Sequence, residues 1–344
     1  MSLRKIVKNQ SKKVLFIGLK YHDYTSAIIN EIQSYGFNVD YIDIQPRSFL
    51  FKVFRTISPK GYQVYLDFYH RRAIQRRKDI DYEIVFFLQA HQFSIESLGA
   101  LKQVHKNAKF ILYNWDSLDN HNYLPQAHLF DEVFTFDPLD ADKHNFNYLP
   151  LFSTRFMQSI ESKASQLRSV YMIGNIVNPT RYEAVQKFSE YCKTHGIKFT
   201  TYLAITPVVY LKMILAGCWP KNVYFSSISK NKFVSLVEES QAVFDFSNHH
   251  QSGYTMRVIE NICSGKKIIT NNFRLSDEEY FIPNQVFCYK NFDFTGVADF
   301  LDIPVVDIED RYEKLKIQSF VATLLGLYSL TPSDKIGSHT IRAS

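Results

Sequence analysis

The first 150 residues alternate between short apolar runs and amphipathic stretches. The apolar runs predict strands, at residues 13–18, 39–44, 83–88, 109–114 and 130–136. Between them, residues 26–35 and 96–106 carry apolar side chains at helical spacing. Strand–helix–strand units favour a parallel sheet, because the helix returns the chain to begin the next strand in the same direction.

The same pattern restarts at residue 169. Strands are predicted at 169–174, 198–202, 222–225, 242–246 and 267–270, and helices at 181–195, 230–240 and 255–263. We therefore predict an α/β protein of two Rossmann-like, doubly wound domains that face a central cleft, with ligands beyond the carboxyl ends of the strands. The predicted limits are 1–158 for the first domain, 159–310 for the second, 311–330 for a closing helix and 331–344 for a disordered tail.

Composition narrows the class of protein. The chain has 344 residues, of which 46% are hydrophobic and 22% charged, and this excludes a disordered chain, a coiled coil and a collagen-like protein. The four cysteines lack zinc-ligand or redox spacing, which predicts buried thiols in a reducing compartment. No signal core is recognised, and no apolar stretch reaches the roughly 18 residues of a membrane span. We expect a cytoplasmic protein, either free or bound peripherally to the inner face of the cytoplasmic membrane.

Positive charge is concentrated in one segment. Residues 47–78 contain nine basic side chains and one acidic one, Asp67, so this segment carries +8 while the whole chain carries +6. Aromatic residues lie between the basic ones, which favours either an anionic membrane surface or a solvated helix face over ordinary core aromatics. An anionic acceptor is a further alternative. No nucleic-acid-binding motif accompanies the segment, so nucleic acid is not an expected partner.

The run Ser252-Gly-Tyr-Thr-Met-Arg-Val-Ile-Glu260 leads from a predicted strand into a predicted helix. A turn at Gly253 lets backbone N–H groups approach a ligand, and the helix that begins near Thr255 directs its positive end there. This arrangement suits the diphosphate of a sugar nucleotide, to which Arg257 could donate a charge-assisted hydrogen bond. Glu260 lies three residues further, on the same face. The alternative is that Arg257 and Glu260 simply pair with each other.

Segment 252–270 resembles the donor-binding motif of bacterial glycosyltransferases with the B-type fold, E-G-F-G-L-P-x-L-E-A-x-A-x-G-x-P-V-I. Gly253, Glu260 and Gly265 fall on matching positions, and Tyr254 stands where the family has phenylalanine. The resemblance implies that Glu260 holds the ribose hydroxyls of the nucleotide. The family's first glutamate, which contacts the donor sugar in retaining members, is here Ser252, so the stereochemistry of transfer stays open.

The resemblance extends more loosely over residues 165–290 and is one of architecture over the first half of the chain. Asn114-Trp-Asp116, followed by residues 134–138, is also similar to capsule and lipopolysaccharide transferases. The resemblance implies an acceptor-binding first domain and a nucleotide-sugar-binding second domain.

Two further strand ends are candidate donor contacts. Gly174 and Arg181 flank a strand-to-helix loop that could bind phosphate, although Arg181 could equally lie on the surface. Tyr224 and Ser227 follow the strand where this fold usually holds the base. The predicted donor-binding residues are Gly174, Arg181, Tyr224, Ser227, Ser252, Gly253, Tyr254, Thr255, Arg257 and Glu260.

An inverting transferase needs a carboxylate or an imidazole to deprotonate the acceptor hydroxyl. Polar side chains at strand ends of the first domain supply the candidates, which are Asp116 first, then Asp23, with His22 and His91 behind them. For each of them alone, loop capping or solvation is the competing interpretation.

Metal-dependent chemistry is not expected. Asp79-Ile-Asp81 and Asp140-Ala-Asp142 match the acid-x-acid pattern of A-type glycosyltransferases, but the first precedes a strand and the second begins a helix. His249-His250 lacks a third ligand at a suggestive spacing. We expect no metal and no cofactor, since the nucleotide sugar is a substrate.

Together these features predict metal-independent transfer of a sugar from a nucleotide-sugar donor to a growing surface polysaccharide or lipid-linked glycan. Two alternatives stay open, an epimerase-like sugar-nucleotide enzyme of the same fold and a non-catalytic scaffold of that fold. The replacement at Ser252 keeps the scaffold alternative open. The expected partners are the nucleotide sugar, a glycan or lipid-linked acceptor, and an anionic membrane surface at residues 47–78.

Overall fold

The computed structural model describes residues 12–21, 23–46, 58–161, 163, 168–247, 253–277, 282, 284–305 and 309–327. The chain divides into two compact units. The first unit holds the described residues up to Pro150 together with those from Ile317 onward, and the second holds Leu151–Lys316. The predicted sites at His22, Ser252 and His249-His250, the segment 47–57 and the tail 331–344 lie outside the described residues.

Six parallel strands form the sheet of the first unit, in the order β2-β1-β3-β4-β5-β6. They are β1 (Lys13–Gly18), β2 (Asn38–Asp43), β3 (Ile84–Leu88), β4 (Lys109–Asn114), β5 (Glu132–Thr135) and β6 (Asn147–Tyr148). The sheet order reverses between β1 and β3, which is its switch point. The two strands pack closely there, because a Cβ on Gly18 would lie 2.9 Å from Leu88 Cβ.

Within the described residues, five helices lie between these strands. They are α1 (Tyr24–Ser34), α2 (Pro59–Gln75), α3 (Ile95–Val104), α4 (Leu124–Ala127) and α5 (Pro138–His144). The side chains of Ser58, Ser94 and Asp137 cap α2, α3 and α5, which explains where these helices begin. Helix α2 occupies the second half of the predicted basic segment.

The second unit repeats the design with six parallel strands in the order β12-β11-β10-β7-β8-β9. Its helices are α6 (Arg155–Gln158), α7 (Pro179–Thr194), α8 (Pro207–Leu215), α9 (Lys230–Glu239), α10 (Met256–Cys263) and α11 (Val297–Asp302). Its strands are β7 (Ser169–Asn175), β8 (Lys198–Ala204), β9 (Val223–Tyr224), β10 (Ala242–Phe244), β11 (Lys267–Thr270) and β12 (Val286–Cys288). The switch point of this sheet lies between β7 and β10.

The last described helix differs from the predicted closing helix at 311–330. Residues Glu309–Leu315 form a 3₁₀ helix, and the α-helix α12 spans Ile317–Leu324. Only the later residues combine helical and apolar periodicity, whereas 309–314 are largely polar. Helix α12 belongs to the first unit, where Phe320 contacts Tyr113 edge-to-face at 4.8 Å.

Two hydrogen bonds fasten the basic helix α2 to the end of β2. Tyr69 Oη donates to Asp43 O at 2.9 Å, and His70 Nε2 lies 2.9 Å from Ile44 O. The buried His70 ring also stacks on Phe93 at 3.7 Å. Burial lowers the pKa of His70 to about 4, so the ring is neutral at physiological pH and donates from Nε2. Among the described helices, none is both long and apolar enough to cross a membrane.

The buried His70 should make stability sensitive to mild acid. Its folded pKa of about 4 lies below its ordinary value of 6.5, so the unfolded chain takes up the proton first as pH falls. We expect wild-type protein to lose about 2 kcal/mol more unfolding free energy than His70→Gln between pH 7 and pH 5. Urea unfolding at both pH values measures this difference. The exposed His128→Gln variant is the control, and an equal pH dependence in all three proteins would contradict the assignment.

Candidate functional site

A fully buried carboxylate lies at the switch point of the second sheet. Asp245 directly follows β10, and its side chain accepts four hydrogen bonds. Oδ1 accepts from Arg257 Nη1 at 2.7 Å and from Thr255 Oγ1 at 2.9 Å. Oδ2 accepts from the hydroxyls of Thr270 at 3.0 Å and Ser247 at 3.1 Å. One carboxylate therefore joins β10, β11 and the start of α10.

Arg257 extends this network to β7. Its Nε and Nη2 atoms donate to Ile173 O at 3.1 and 2.8 Å, while Nη1 forms the ion pair with Asp245. The guanidinium passes directly over Gly174, where a Cβ atom would lie 2.7 Å from Nη2. A side chain at 174 would displace the Arg257 guanidinium from its hydrogen bonds, so the close approach of Arg257 favours glycine there.

A second guanidinium lies nearby. Arg181 donates from Nη1 to Asn175 O at 2.9 Å and from Nη2 to Phe246 O at 3.3 Å, and its buried Nε has no partner among the described residues. Burial and the positive charge of Arg257 lower the pKa of Arg181. Arg257 pairs with Asp245, whereas Arg181 donates only to backbone carbonyls among the described residues, so its positive charge at the strand ends favours an anion.

Helix α10 begins at the same place. Thr255 is its N-cap and accepts from Val258 N at 3.3 Å while its hydroxyl donates to Asp245. Gly253 and Tyr254, which precede it, are buried. Glu260 is also buried, at 6% exposure, one turn beyond Arg257. We call Gly174, Arg181, Asp245, Thr255 and Arg257 the Asp245 cluster.

The predicted base contacts lie two strands away from β7, at the outer edge of the sheet. Tyr224 ends β9, is partly exposed, and stacks on Tyr202 with ring centroids 4.1 Å apart and an interplanar angle of 4°. Lys232 Nζ lies 5.0 and 5.2 Å from the two ring centroids. Ser227 is exposed in the loop that follows. Tyr224 therefore offers an aromatic platform that cation–π contacts hold in place.

A polar cluster lies beside the switch point of the first sheet. Gln89 follows β3 with a left-handed φ of 67°, and its Nε2 donates to Asp116 Oδ2. His121 Nε2 lies 4.0 Å from the same carboxylate oxygen, and the ring of His121 stacks on His91 at 4.1 Å. These four residues form what we call the Asp116 cluster. Backbone strain at a non-glycine residue beside polar side chains is a recurrent feature of functional sites.

Electrostatics in the Asp116 cluster favour a base. Burial raises the pKa of Asp116, against smaller lowering effects of His121 and Gln89. Burial and the neighbouring His121 lower the pKa of His91 to about 4, so that imidazole is neutral. The loop that carries Asp116 is held by Asp140, whose Oδ2 accepts from Leu118 N at 2.8 Å. Asp140 therefore has a structural role, which agrees with its position at a helix start.

The remaining predicted carboxylates are more open. Asp23 is exposed at the N-cap of α1 and its side chain does not cap that helix. Asp79 and Asp81 are exposed ahead of β3. Across the described part of the chain, His, Cys, Asp and Glu side chains form no group of three that could hold a metal ion.

The hydrophobic pattern does not identify Asp245 or His121 as site residues. Asp245 carries one available signal, because it is a lone carboxylate inside the otherwise apolar run Val243-Phe-Asp-Phe246. Such a residue is buried only when partnered. His121 carries no signal of this kind, since its relation to Asp116 and His91 depends on how the loop after β4 folds.

Removing the charge of Asp245 should destabilise the second unit strongly. Asp245→Asn leaves the partly buried Arg257 without its counter-ion, and we expect the unfolding free energy to fall by about 3 kcal/mol. Asp302→Asn removes the counter-ion of Arg168 at the surface and should change it by less than about 1 kcal/mol. Urea denaturation measures both. Similar losses in the two variants would show that the buried network is not what holds this edge of the sheet.

Solved structures with the same arrangement of elements match 92% of the chain. A lipopolysaccharide outer core galactosyltransferase, WaaB, in its apo form has a TM-score of 0.54 at 12% identity over 100% of its length. Sucrose-phosphate synthase from Thermosynechococcus elongatus has a TM-score of 0.57 at 10% identity over 98% of its length. UDP-GlcNAc 2-epimerase from Neisseria meningitidis, bound to UDP-GlcNAc, has a TM-score of 0.51 at 11% identity over 100% of its length.

No family model matches the sequence, and a search of curated proteins finds no significant match. The likeness to solved structures, at 12% identity or less, therefore shows the fold. That fold confirms the prediction from the periodic pattern and from the resemblance in segment 252–270. The chain has the doubly wound, two-unit fold of the B-type glycosyltransferases.

Proposed function

We propose that this protein transfers a sugar from a nucleotide-sugar donor to a hydroxyl group of a surface polysaccharide or lipid-linked glycan, without a metal ion. The observation that carries the proposal is the pair of guanidinium groups, Arg181 and Arg257, at the switch point of the second sheet. They lie beside the N-terminus of α10, where ligands of doubly wound sheets bind.

The chemistry of the leaving group explains why this arrangement suits transfer. A departing nucleoside diphosphate develops negative charge, which fixed dipoles and cations stabilise in place of a divalent ion. Arg257 is held rigidly by Asp245 and Ile173 O, so its orientation needs no rearrangement on binding. Arg181 retains an unpartnered Nε and is the better placed of the two to bind an oxygen of the diphosphate.

The rest of the donor would lie along the carboxyl edge of the second sheet. The exposed face of Tyr224 is suited to stack on the base, with Ser227 in the adjoining loop. By resemblance, Glu260 binds the ribose hydroxyls. Gly253 and Tyr254 shape the turn ahead of α10.

On the first unit, Asp116 is the proposed general base that takes the acceptor proton. Gln89 orients its carboxylate, and burial raises the pKa of Asp116, which increases its proton affinity. His121 is near enough to stabilise the carboxylate through charge or water. Asp23 is the second candidate, because it is exposed after β1 at the same switch point.

Helix α2 supports the proposal that the enzyme works at an anionic membrane surface. Its exposed residues include Val64 and Phe68, one turn apart, and the cations Arg71 and Arg72. Apolar side chains flanked by arginine suit a bilayer interface. We therefore propose that the enzyme binds peripherally to the inner face of the cytoplasmic membrane, where lipid-linked acceptors occur.

An epimerase shares the fold, so the activity assay needs an arm without acceptor. A transferase forms a glycosidic product only when donor and acceptor are both present. Release of an altered free sugar from the donor alone would favour the epimerase alternative. Tight donor binding with no turnover in either arm would favour the scaffold.

Arg181 is the sharpest test of the donor site. Arg181→Gln should weaken the binding of a nucleoside diphosphate by about 1.5–3 kcal/mol, roughly ten- to hundred-fold, as expected for a lost hydrogen bond to a charged group. Monophosphates should lose less. Titration of ADP, GDP, UDP and CDP, followed by thermal shift, measures the effect. Arg168→Gln, a surface arginine of the same unit, is the matched control, and unchanged diphosphate affinity in folded Arg181→Gln would remove the phosphate role.

Asp116→Asn should lower kcat by roughly a hundred- to ten-thousand-fold in a transfer assay that contains a chelator. In the wild type, the rate should fall with decreasing pH through a pKa above the ordinary aspartate value of 3.8, because burial raises the pKa of Asp116. The exposed Asp299→Asn is the control. Wild-type activity lost in chelator and restored by manganese or magnesium would refute the metal-free mechanism and direct attention to Asp79 and Asp81.

A further inference from the structure

The second unit carries an apolar surface that the proposed function does not use. Five large apolar side chains on and after α8 are exposed, from 57% for Leu211 to 79% for Leu215. They are Val208, Leu211, Leu215, Trp219 and Phe225. We call these five residues the α8 surface.

The α8 surface is continuous because of how the helix is placed and ended. Val208, Leu211 and Leu215 have the three- and four-residue spacing of one helix face, while Met213 on the opposite side is buried. A helix that is apolar on all sides is ordinarily covered on all sides. Here one side of α8 packs on the second sheet and the other is exposed.

Two exposed aromatic residues follow α8 in the chain. Gly217 has a left-handed φ of 78°, and Cys218 N donates to Met213 O at 2.9 Å, so the chain turns sharply before Trp219. Phe225 contacts the Tyr210 ring of α8 edge-to-face at 5.3 Å. Tryptophan beside aliphatic residues is the composition found at the water–bilayer interface.

The charge of the chain segment that carries the α8 surface indicates the partner that we expect. Between Glu190 and Glu238 the chain has no acidic residue and six lysines, all exposed. They are Lys193, Lys198, Lys212, Lys221, Lys230 and Lys232. Within the described residues, none of the six forms an ion pair. A second copy of this surface would place lysine against lysine, whereas an anionic surface neutralises them.

We infer that the α8 surface docks the second unit onto an anionic lipid bilayer. The apolar side chains would enter the interfacial region, and Lys212 on the helix itself and Lys221, two residues after Trp219, would bind the lipid headgroups. The inference concerns a different unit and a different helix from α2. It holds whether or not the protein transfers a sugar.

Trp219 makes the docking measurable in the full chain, because Trp115 is the only other tryptophan. We expect vesicles of phosphatidylcholine mixed with phosphatidylglycerol to shift the emission of the wild-type protein to shorter wavelength, and brominated acyl chains to quench it. Trp219→Phe should abolish both effects. Vesicles of phosphatidylcholine alone, or anionic vesicles in high salt, should give much weaker effects.

Variants then identify the surface responsible. Leu211→Ser combined with Leu215→Ser should weaken sedimentation with anionic vesicles at least about ten-fold. The reason is that two leucines which would enter the bilayer interface are lost. Leu139→Ser combined with Ile303→Ser, two exposed apolar residues elsewhere, is the matched control. Arg71→Glu combined with Arg72→Glu tests α2 separately. Thermal unfolding of each variant confirms that it is folded.

Three outcomes would overturn the inference. The first is an unchanged Trp219 spectrum with anionic vesicles, a measurement that needs no variant to fold. The second is vesicle binding that depends on α2 and is indifferent to Leu211 and Leu215. The third is a wild-type dimer, seen by sedimentation velocity, that the leucine variants dissociate, because a second copy would then cover this surface. Diphosphate binding is measured independently, so failure here leaves the proposed function standing.

Discussion

The edge of the second sheet depends on one buried ion pair. Asp245 would be strongly destabilising by itself in the apolar interior just after β10, since an unpaired buried carboxylate is costly. Arg257 neutralises it and at the same time donates to the carbonyl of Ile173 on the neighbouring strand. The hydroxyl of Thr255 adds the start of α10 to the same carboxylate. One charge pair therefore sets where the strand ends, where the helix begins and which direction its N-terminus faces.

Both units have a sheet whose strand order reverses once, but different side chains lie beside the two switch points. In each sheet the strand order reverses once, and the reversal leaves room beyond two adjacent strand ends. In the second sheet this room is bordered by Arg181 and Arg257, a positive environment. Beside it in the first sheet lie Gln89 and Asp116, with His91 kept neutral by burial. The parallel topology therefore fixes where polar side chains collect in each unit, and the local residues decide which charge they carry.

The sequence predicts the regular elements well where apolar runs are short and bounded. The strands predicted at 83–88, 109–114 and 169–174 lie within one residue of their observed limits, because buried parallel strands are apolar throughout. Helix α8 is not predicted, because it is apolar on both sides and so lacks the alternation of apolar and polar faces that marks an amphipathic helix. The closing helix is predicted six residues early, because polar residues of a 3₁₀ turn precede it.

The candidate site residues are also predicted only in part from the sequence. The motif around 252–270 and the loop at 174–181 point to Gly174, Arg181, Thr255 and Arg257, and the fold brings these four together. The residue that connects them is Asp245. It lies twelve positions before Arg257 in the sequence, and the two residues meet only because the chain folds. His121 and Asp116 meet for a comparable reason, through a loop held by Asp140. Pairings across elements depend on register and loop path, which periodicity does not encode.

The close approach of Arg257 to Gly174 also limits how this site can diverge. A methyl group at 174 would displace the guanidinium from its hydrogen bonds, and a shorter side chain at 257 would leave Asp245 with hydroxyl donors alone. We therefore expect substitutions at 174 and 257 to be coupled, because each changes the space or the charge that the other residue meets.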